Sequence, residues 1–169
     1  MSTFDRKDLS YFLGKQLMFT YDNGWNYELY IKNEQLVDYR IHYGIVGQKW
    51  VKNQPVSIAR IGEEICKISW TEPTGINVGI VINLQDNFYQ GTIFFPRWVI
   101  NHPERCKGFQ NDQIALMEFY REAGPTYPIE IIDEFANITF IKDRGINNES
   151  VIACAASELP ADFPHNLNL

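Results

Sequence analysis

Between Gln16 and Pro96 one pattern repeats. Short runs rich in Val, Ile, Tyr, Phe and Trp are each cut off by turn residues, at intervals of about 8–12 residues. No stretch of helical period interrupts it. The pattern predicts strands at 16–21, 25–32, 36–43, 45–52, 56–61, 65–72, 77–84 and 88–95. Asp22-Asn23-Gly24 is a hairpin turn, since Asn-Gly supplies the positive φ that such turns need. Lys32-Asn33-Glu34 is a weaker one. Eight strands on short links point to an up-and-down antiparallel barrel with room inside for a small ligand. Aromatic residues make up 14% of the chain, and rings favour strands and apolar pockets.

The pattern changes after Pro96. Ile114, Met117 and Tyr120, with Leu116 and Phe119 beside them, predict a helix over 110–122, stopped by Gly124-Pro125. Residues 135–142 read as one more strand. Residues 148–159 read as a short helix capped by Asn147 or Asn148. Without a linker, a repeat or a low-complexity stretch, residues 1–169 are expected to form a single mainly β domain with flanking α-helices.

Fifteen Lys and Arg against 21 Asp and Glu leave a formal charge of −6. That argues against a nucleic-acid partner, which needs clustered cations. No run of 18 apolar residues is present, so no membrane span is expected. MSTFDRKDLS lacks the basic and apolar regions of a secretory signal. Cys66, Cys106 and Cys154 form no CxxC, and an odd count suits a reducing compartment, so a cytoplasmic protein is expected. His42, His102 and His165 have no metal-ligand spacing, and no metal is expected. No GxSxG, P-loop, HExxH or GxGxxG is present. Cys66 and Cys154 read as small buried thiols. Any chemistry should then be cofactor-free acid–base chemistry in an apolar pocket.

Side chains alternate along a strand, so phase identifies the inner face. Leu17, Phe19 and Tyr21 share one face; so do Trp25, Tyr27, Leu29 and Ile31, and again Val37, Tyr39, Ile41 and Tyr43. His42 falls in an outward row. In 65–72, Glu72 is in phase with Cys66, Ile68 and Trp70. A carboxylate turned into a barrel is costly unless paired, its pKa should rise, and it is a candidate general acid or base. Two plainer readings stand beside that one. Glu72 precedes Pro73-Thr74-Gly75, so it is equally a solvated group at the strand mouth or half of a structural ion pair. Tyr21 and Tyr27 point inward, suited either to hold an anionic oxygen or simply to bond backbone, as buried Tyr usually does.

Particular segments carry a stronger signal. They are Tyr21 to Asn33, Asp38 to His42, Trp50-Val51, Ile68-Ser-Trp-Thr-Glu-Pro-Thr-Gly75, Gly91-Thr-Ile-Phe-Phe-Pro-Arg-Trp-Val99, Gln110-Asn-Asp112, Asp133 to Phe140 and Asn148 to Ile152. Together they resemble the bacterial phenolic acid decarboxylase family, from about Gly14 to Leu159. The resemblance implies a lipocalin-like antiparallel β-barrel, a homodimer, and cofactor-free decarboxylation of p-coumarate, ferulate or caffeate to vinylphenols. It implies Glu72 as proton donor and Tyr21 and Tyr27 as oxygen-binding groups. It leaves open whether the tyrosines hold the phenolate or the carboxylate.

Two positions depart from the family pattern. Phe19 stands where the other tyrosine of the pair is expected, and Lys49, which the resemblance makes catalytic as electrostatic support, where the family's catalytic arginine is expected. Losing a hydrogen bond to a charged partner costs about 1.5–3 kcal/mol. Lys49 keeps the charge but not the two-pronged fork. Milder departures are Tyr43, where a smaller residue is usual, and residues 104–109, usually more apolar. With the inward rows, the resemblance sets an aromatic carboxylic acid against Phe19, Trp25, Tyr39, Val46 and Trp70, and against Thr74, Ile76, Val78, Ile93 and Phe95. Two other readings remain at this point: a divergent paralogue acting on another aromatic acid, and a binding protein without turnover.

Overall fold

Alternating large apolar and polar side chains become eight successive strands in the computed structural model, which describes residues 3–165. The expectation of no secretory signal reaches residues 1–2, which lie outside the described residues. The strands are β1 Lys15–Tyr21, β2 Asn26–Ile31, β3 Leu36–Tyr43, β4 Lys49–Pro55, β5 Ser57–Arg60, β6 Ile65–Thr71, β7 Asn77–Asn83 and β8 Phe88–Phe95. Then follow α1 Arg97–Asn101, the two-residue β9 Gly108–Phe109, α2 Ile114–Ala123 and the long β10 Glu130–Asp143. The expected strand over 45–52 begins only at Lys49, because residues 44–48 are used in a turn that places Gln48 at positive φ.

The sheet order is β5-β6-β7-β8-β10-β1-β2-β3-β4-β9. The fold is mainly β and antiparallel, with the lipocalin-like curl that was expected, but it is not an eight-strand up-and-down barrel. The expected strand over 135–142 is the second half of β10. Its first half pairs with β8, from Glu130 against Phe95 to Asn137 against Phe88. Its second half pairs with β1, from Tyr21 against Ala136 to Lys15 against Asp143. One late strand therefore joins the two halves of the sheet. Among the described residues only β9 runs parallel to its neighbour, setting Lys49 beside Gly108.

β6 and β4 each lie one place in from an end of the sheet. The sheet curls until side chains bridge them: Gln54 on β4 donates to the Thr71 carbonyl of β6 at 3.0 Å. The inward row (Leu17, Phe19, Leu29, Ile41, Ile68, Ile80, Ile93 and Phe95 among others) forms the buried core. α1 and α2 sit over the β6–β7 turn. The buried Trp98 indole donates to the Thr74 carbonyl at 2.9 Å and packs against Tyr120.

The outward row of β1–β3 is not exposed. Gln16, Glu28 and Arg40 are buried, and half-buried His42 contacts Glu28 at 2.9 Å. Arg40 holds both Glu28 oxygens, at 2.6 and 2.9 Å. Residues 144–155 run across this face, with Val151 and Ile152 packed on Tyr30. That covering explains why the helix expected over 148–159 is absent, leaving only a 3-10 turn at Ala156–Glu158. Arg40 takes the carbonyls of Val151 and Cys154, at 3.1 and 3.2 Å, and the Asn148 side chain turns back onto Ser150. The groups a helix would use are already engaged.

Candidate active site

The turn that connects β6 to β7 fixes the carboxylate. Glu72 donates its N–H to the Ile76 carbonyl, and the Gly75 N–H returns to the Glu72 carbonyl, each at 2.9 Å. Pro73 starts the turn, and Gly75 sits at φ +86°, where a side chain is disfavoured. Glu72 thus falls one residue beyond β6 yet keeps the inward phase of Trp70, and it is buried. The solvated reading of Glu72 is excluded.

Four donors converge on its two oxygens. Tyr39 Oη and Trp70 Nε1 reach Oε1, the indole at 3.0 Å. Lys49 Nζ and Thr74 Oγ1 reach Oε2, the hydroxyl at 3.3 Å. The Lys49 side chain is 1% exposed and that of Glu72 3%. An ammonium and a carboxylate in direct contact, out of water, each need the other to be tolerated there. β9 and residues 104–107 back this pair. Phe109 stacks on Trp50 at 4.0 Å, and Cys106 is buried beside Lys49, so the unusual 104–109 stretch supports the strand that carries the cation. Burial pushes the Cys106 thiol up to about 11 and that of Cys66 to about 12, which suits inert core groups.

A second polar group is made of phenols. Tyr21 Oη donates to Tyr89 Oη at 3.1 Å. Tyr27 packs edge-on against Tyr21, and its hydroxyl is buried with no partner among the described residues. Burial, reinforced by the neighbouring phenols, holds Tyr21 and Tyr27 well above the usual tyrosine value. Burial does the same to Tyr39, with the Glu72 charge adding to it. All three remain donors at neutral pH. Gly44 leaves room for Tyr27, since a Cβ would lie 3.0 Å from its Cε1 and press on the ring.

These groups line one cavity with Phe19, Leu29, Ile41, Val46, Ile76, Val78, Ile93 and Phe95. Of the residues expected from the sequence, two do not line it. Thr74 is buried behind Glu72 and serves as its hydrogen-bond donor. Trp25 stacks against the back of Tyr27. Tyr89, Leu29 and Ile41 do line it and were not singled out; Tyr89 shares the phase of Ile93 and Phe95, a signal that was present. Tyr43 is 66% exposed, so its size costs the pocket nothing. The free volume is about 30 Å³, little more than a single water needs, so a larger ligand would require the lining side chains to move. Trp70 and Val78 are the half-buried wall residues, and both also border a surface groove with Pro55, Ser57 and Asn77. Among the described residues no group of three His, Cys, Asp or Glu is placed to hold a metal, and no helix is long and apolar enough to cross a membrane.

Comparison with known proteins agrees with the pocket's chemistry. The family described as phenolic acid decarboxylase (PAD) matches residues 9–166. A Vibrio cholerae protein named "Probable phenolic acid decarboxylase" is 52% identical over 161 residues, covering 95% of this chain and 92% of the relative. "Phenolic acid decarboxylase PadC" of Bacillus subtilis is 48% identical over 147 residues, covering 87% and 91%. A solved structure from Burkholderia vietnamiensis, named as a candidate beta-lactamase, superposes with TM-score 0.49 at 11% identity, over 79% of this chain and 99% of that one. That likeness is too distant to bear on fold or activity. The chain belongs to the phenolic acid decarboxylase family, enzymes that are carboxy-lyases acting on phenolic acids.

Proposed function

We propose that this chain converts para-hydroxycinnamic acids such as p-coumarate, ferulate and caffeate to vinylphenols and carbon dioxide, with Glu72 delivering the proton. The observation that carries this is the buried Lys49–Glu72 pair facing the same apolar cavity as the phenols of Tyr21, Tyr27 and Tyr89. An electron pair moves from the substrate phenolate through the ring and alkene. The alkene carbon next to the carboxylate takes a proton, giving a quinone methide. The bond to the carboxylate then breaks, its electron pair restores the aromatic ring, and carbon dioxide leaves. One proton is consumed per turnover and is replaced from water.

Lys49 and Glu72 together hold that proton. Glu72 passes it to carbon, with Lys49 Nζ in direct contact with the Glu72 carboxyl. Tyr39, Trp70 and Thr74 fix the carboxyl, and the phenols stabilise substrate oxyanions where exclusion of water makes such contacts strong. The reaction draws its electrons from the substrate, so it asks for no cofactor.

Absorbance of the cinnamate band on mixing with p-coumarate, ferulate, caffeate and cinnamate lacking the para hydroxyl tests this reading. The first three should bleach and the last should not. No bleaching at high protein concentration refutes it. Phe19 and Lys49 favour one second reading, a shifted acid preference within the same reaction, which would appear as unequal rates across the panel. We further propose a cytoplasmic homodimer. Three free cysteines suit a reducing compartment. Phe94, Ile131 and Phe135 are exposed apolar residues on the paired strands β8 and β10, on either side of Asp133, and suit contact with a second copy.

A further inference from the structure

We propose that Tyr89 supplies the second hydroxyl of the substrate's oxyanion clamp, standing in for the phenol that position 19 lacks. This rests on the decarboxylase reading above. Phe19 and Tyr89 are stacked face to face, with centroids 4.1 Å apart and planes 18° apart. The ring at 89 therefore lies against the ring at 19, and it carries the hydroxyl that the latter does not.

That hydroxyl is placed for use. Its oxygen is 3.1 Å from Tyr21 Oη, so two phenol oxygens form an adjacent pair drawn from β1 and β8. Tyr21 and Tyr89 are each 2% exposed, and both line the cavity. Gly91, also on β8, leaves the space: a Cβ there would fall 2.8 Å from Tyr21 Oη and 2.9 Å from Tyr89 Cε1.

Hydrogen-bond counting points the same way. Tyr21, Tyr27 and Tyr89 own three O–H protons, and among the described residues one of them is engaged, in the Tyr21–Tyr89 bond. Buried donors without acceptors are costly, and they mark a place where a ligand's acceptor completes the set. An anionic oxygen seated among the three accepts the Tyr89 and Tyr27 protons that the protein leaves unused. Dense phenols without such an acceptor would be better served by phenylalanines.

Steady-state decarboxylation of p-coumarate by wild type and Tyr89→Phe tests this, together with binding of the saturated acid 3-(4-hydroxyphenyl)propanoate, which cannot form the quinone methide. Losing one bond to an anion predicts a fall of about 10- to 100-fold in kcat/KM. The saturated acid should bind more weakly in the variant, and Phe19→Tyr in the Tyr89→Phe background should recover activity. Repeating the binding with 3-phenylpropanoate assigns the anion. A loss confined to the phenol-bearing acid places the substrate phenolate in the clamp; an equal loss for both places the carboxylate there. An active wild type with Tyr89→Phe within threefold overturns the proposal. So does a loss of activity that Phe19→Tyr fails to recover while the saturated acid binds as in wild type. An inactive wild type would instead overturn the decarboxylase reading itself.

Discussion

Replacing Lys49 by Met keeps the length of the side chain and removes its charge, leaving the Glu72 carboxylate buried without a counter-ion. Breaking a buried pair from one side costs about 3–5 kcal/mol. Tyr39, Trp70 and Thr74 still donate to Glu72, so the lower end, about 3 kcal/mol, is expected. A chain of this size loses roughly 2–4 °C in melting temperature per kcal/mol, which gives a drop of about 6–12 °C. The double variant Lys49→Met with Glu72→Gln removes both desolvation costs and should regain at least about half of the loss, as coupled residues do. Neither variant should turn over p-coumarate, whereas Lys49→Arg should stay folded. Urea titrations of wild type and the three variants give the stabilities, with a constant m-value as the check on two-state behaviour. If Lys49→Met costs less than about 1 kcal/mol, or the double variant is no more stable than the single, then Lys49 and Glu72 do not compensate each other and the ion-pair argument fails.

Other consequences concern the outer face and the thiols. Burial pushes the Glu28 carboxyl up, but hydrogen bonds from His42, Arg40 and Gln16 outweigh it, so its net shift is below the ordinary 4.5. A carboxyl held low when folded stabilises above its unfolded value and loses that contribution as pH falls through the folded one. Wild-type stability should therefore decline as pH drops below about 4.5, and Glu28→Gln should flatten that slope in urea titrations taken between pH 6 and 3. With the Cys66 and Cys106 thiols pushed up to about 12 and 11, native protein at pH 8 should react with iodoacetamide at the half-buried Cys154 first. Peptide mass spectrometry reads the site, and early labelling of Cys106 would contradict the packing beside Lys49.

Strand alternation made much of this fold legible, because a half-buried strand advertises its inner face at every second residue. The inward turn of Glu72, Tyr21 and Tyr27 followed from phase alone. What phase cannot carry is pairing between distant segments. Nothing local in residues 130–143 says that this strand slips between β8 and β1. Nothing in β4 or β6 says that the sheet curls far enough for Lys49 to reach Glu72. The row of Gln16, Glu28 and Arg40 looks solvent-facing because its residues are polar. It is buried because Gln16 and Arg40 both donate to Glu28 beneath residues 144–155. The same contacts account for the absent helix over 148–159, whose composition favours helix while Arg40 claims its carbonyls. Tyr89 was within reach of the phase argument, but its meaning depends on its stacking against Phe19, a contact between strands that pair only through β10.

Protonation at carbon is the step on which the whole scheme turns, and solvent deuterium reports it directly. When p-coumarate is turned over in D2O, the vinylphenol should carry one deuterium on the terminal alkene carbon, the one that bore the carboxylate, as proton NMR of the product would show. Vinylphenol formed without deuterium there, or acid recovered unchanged beside folded protein, would contradict proton delivery from the Lys49–Glu72 pair.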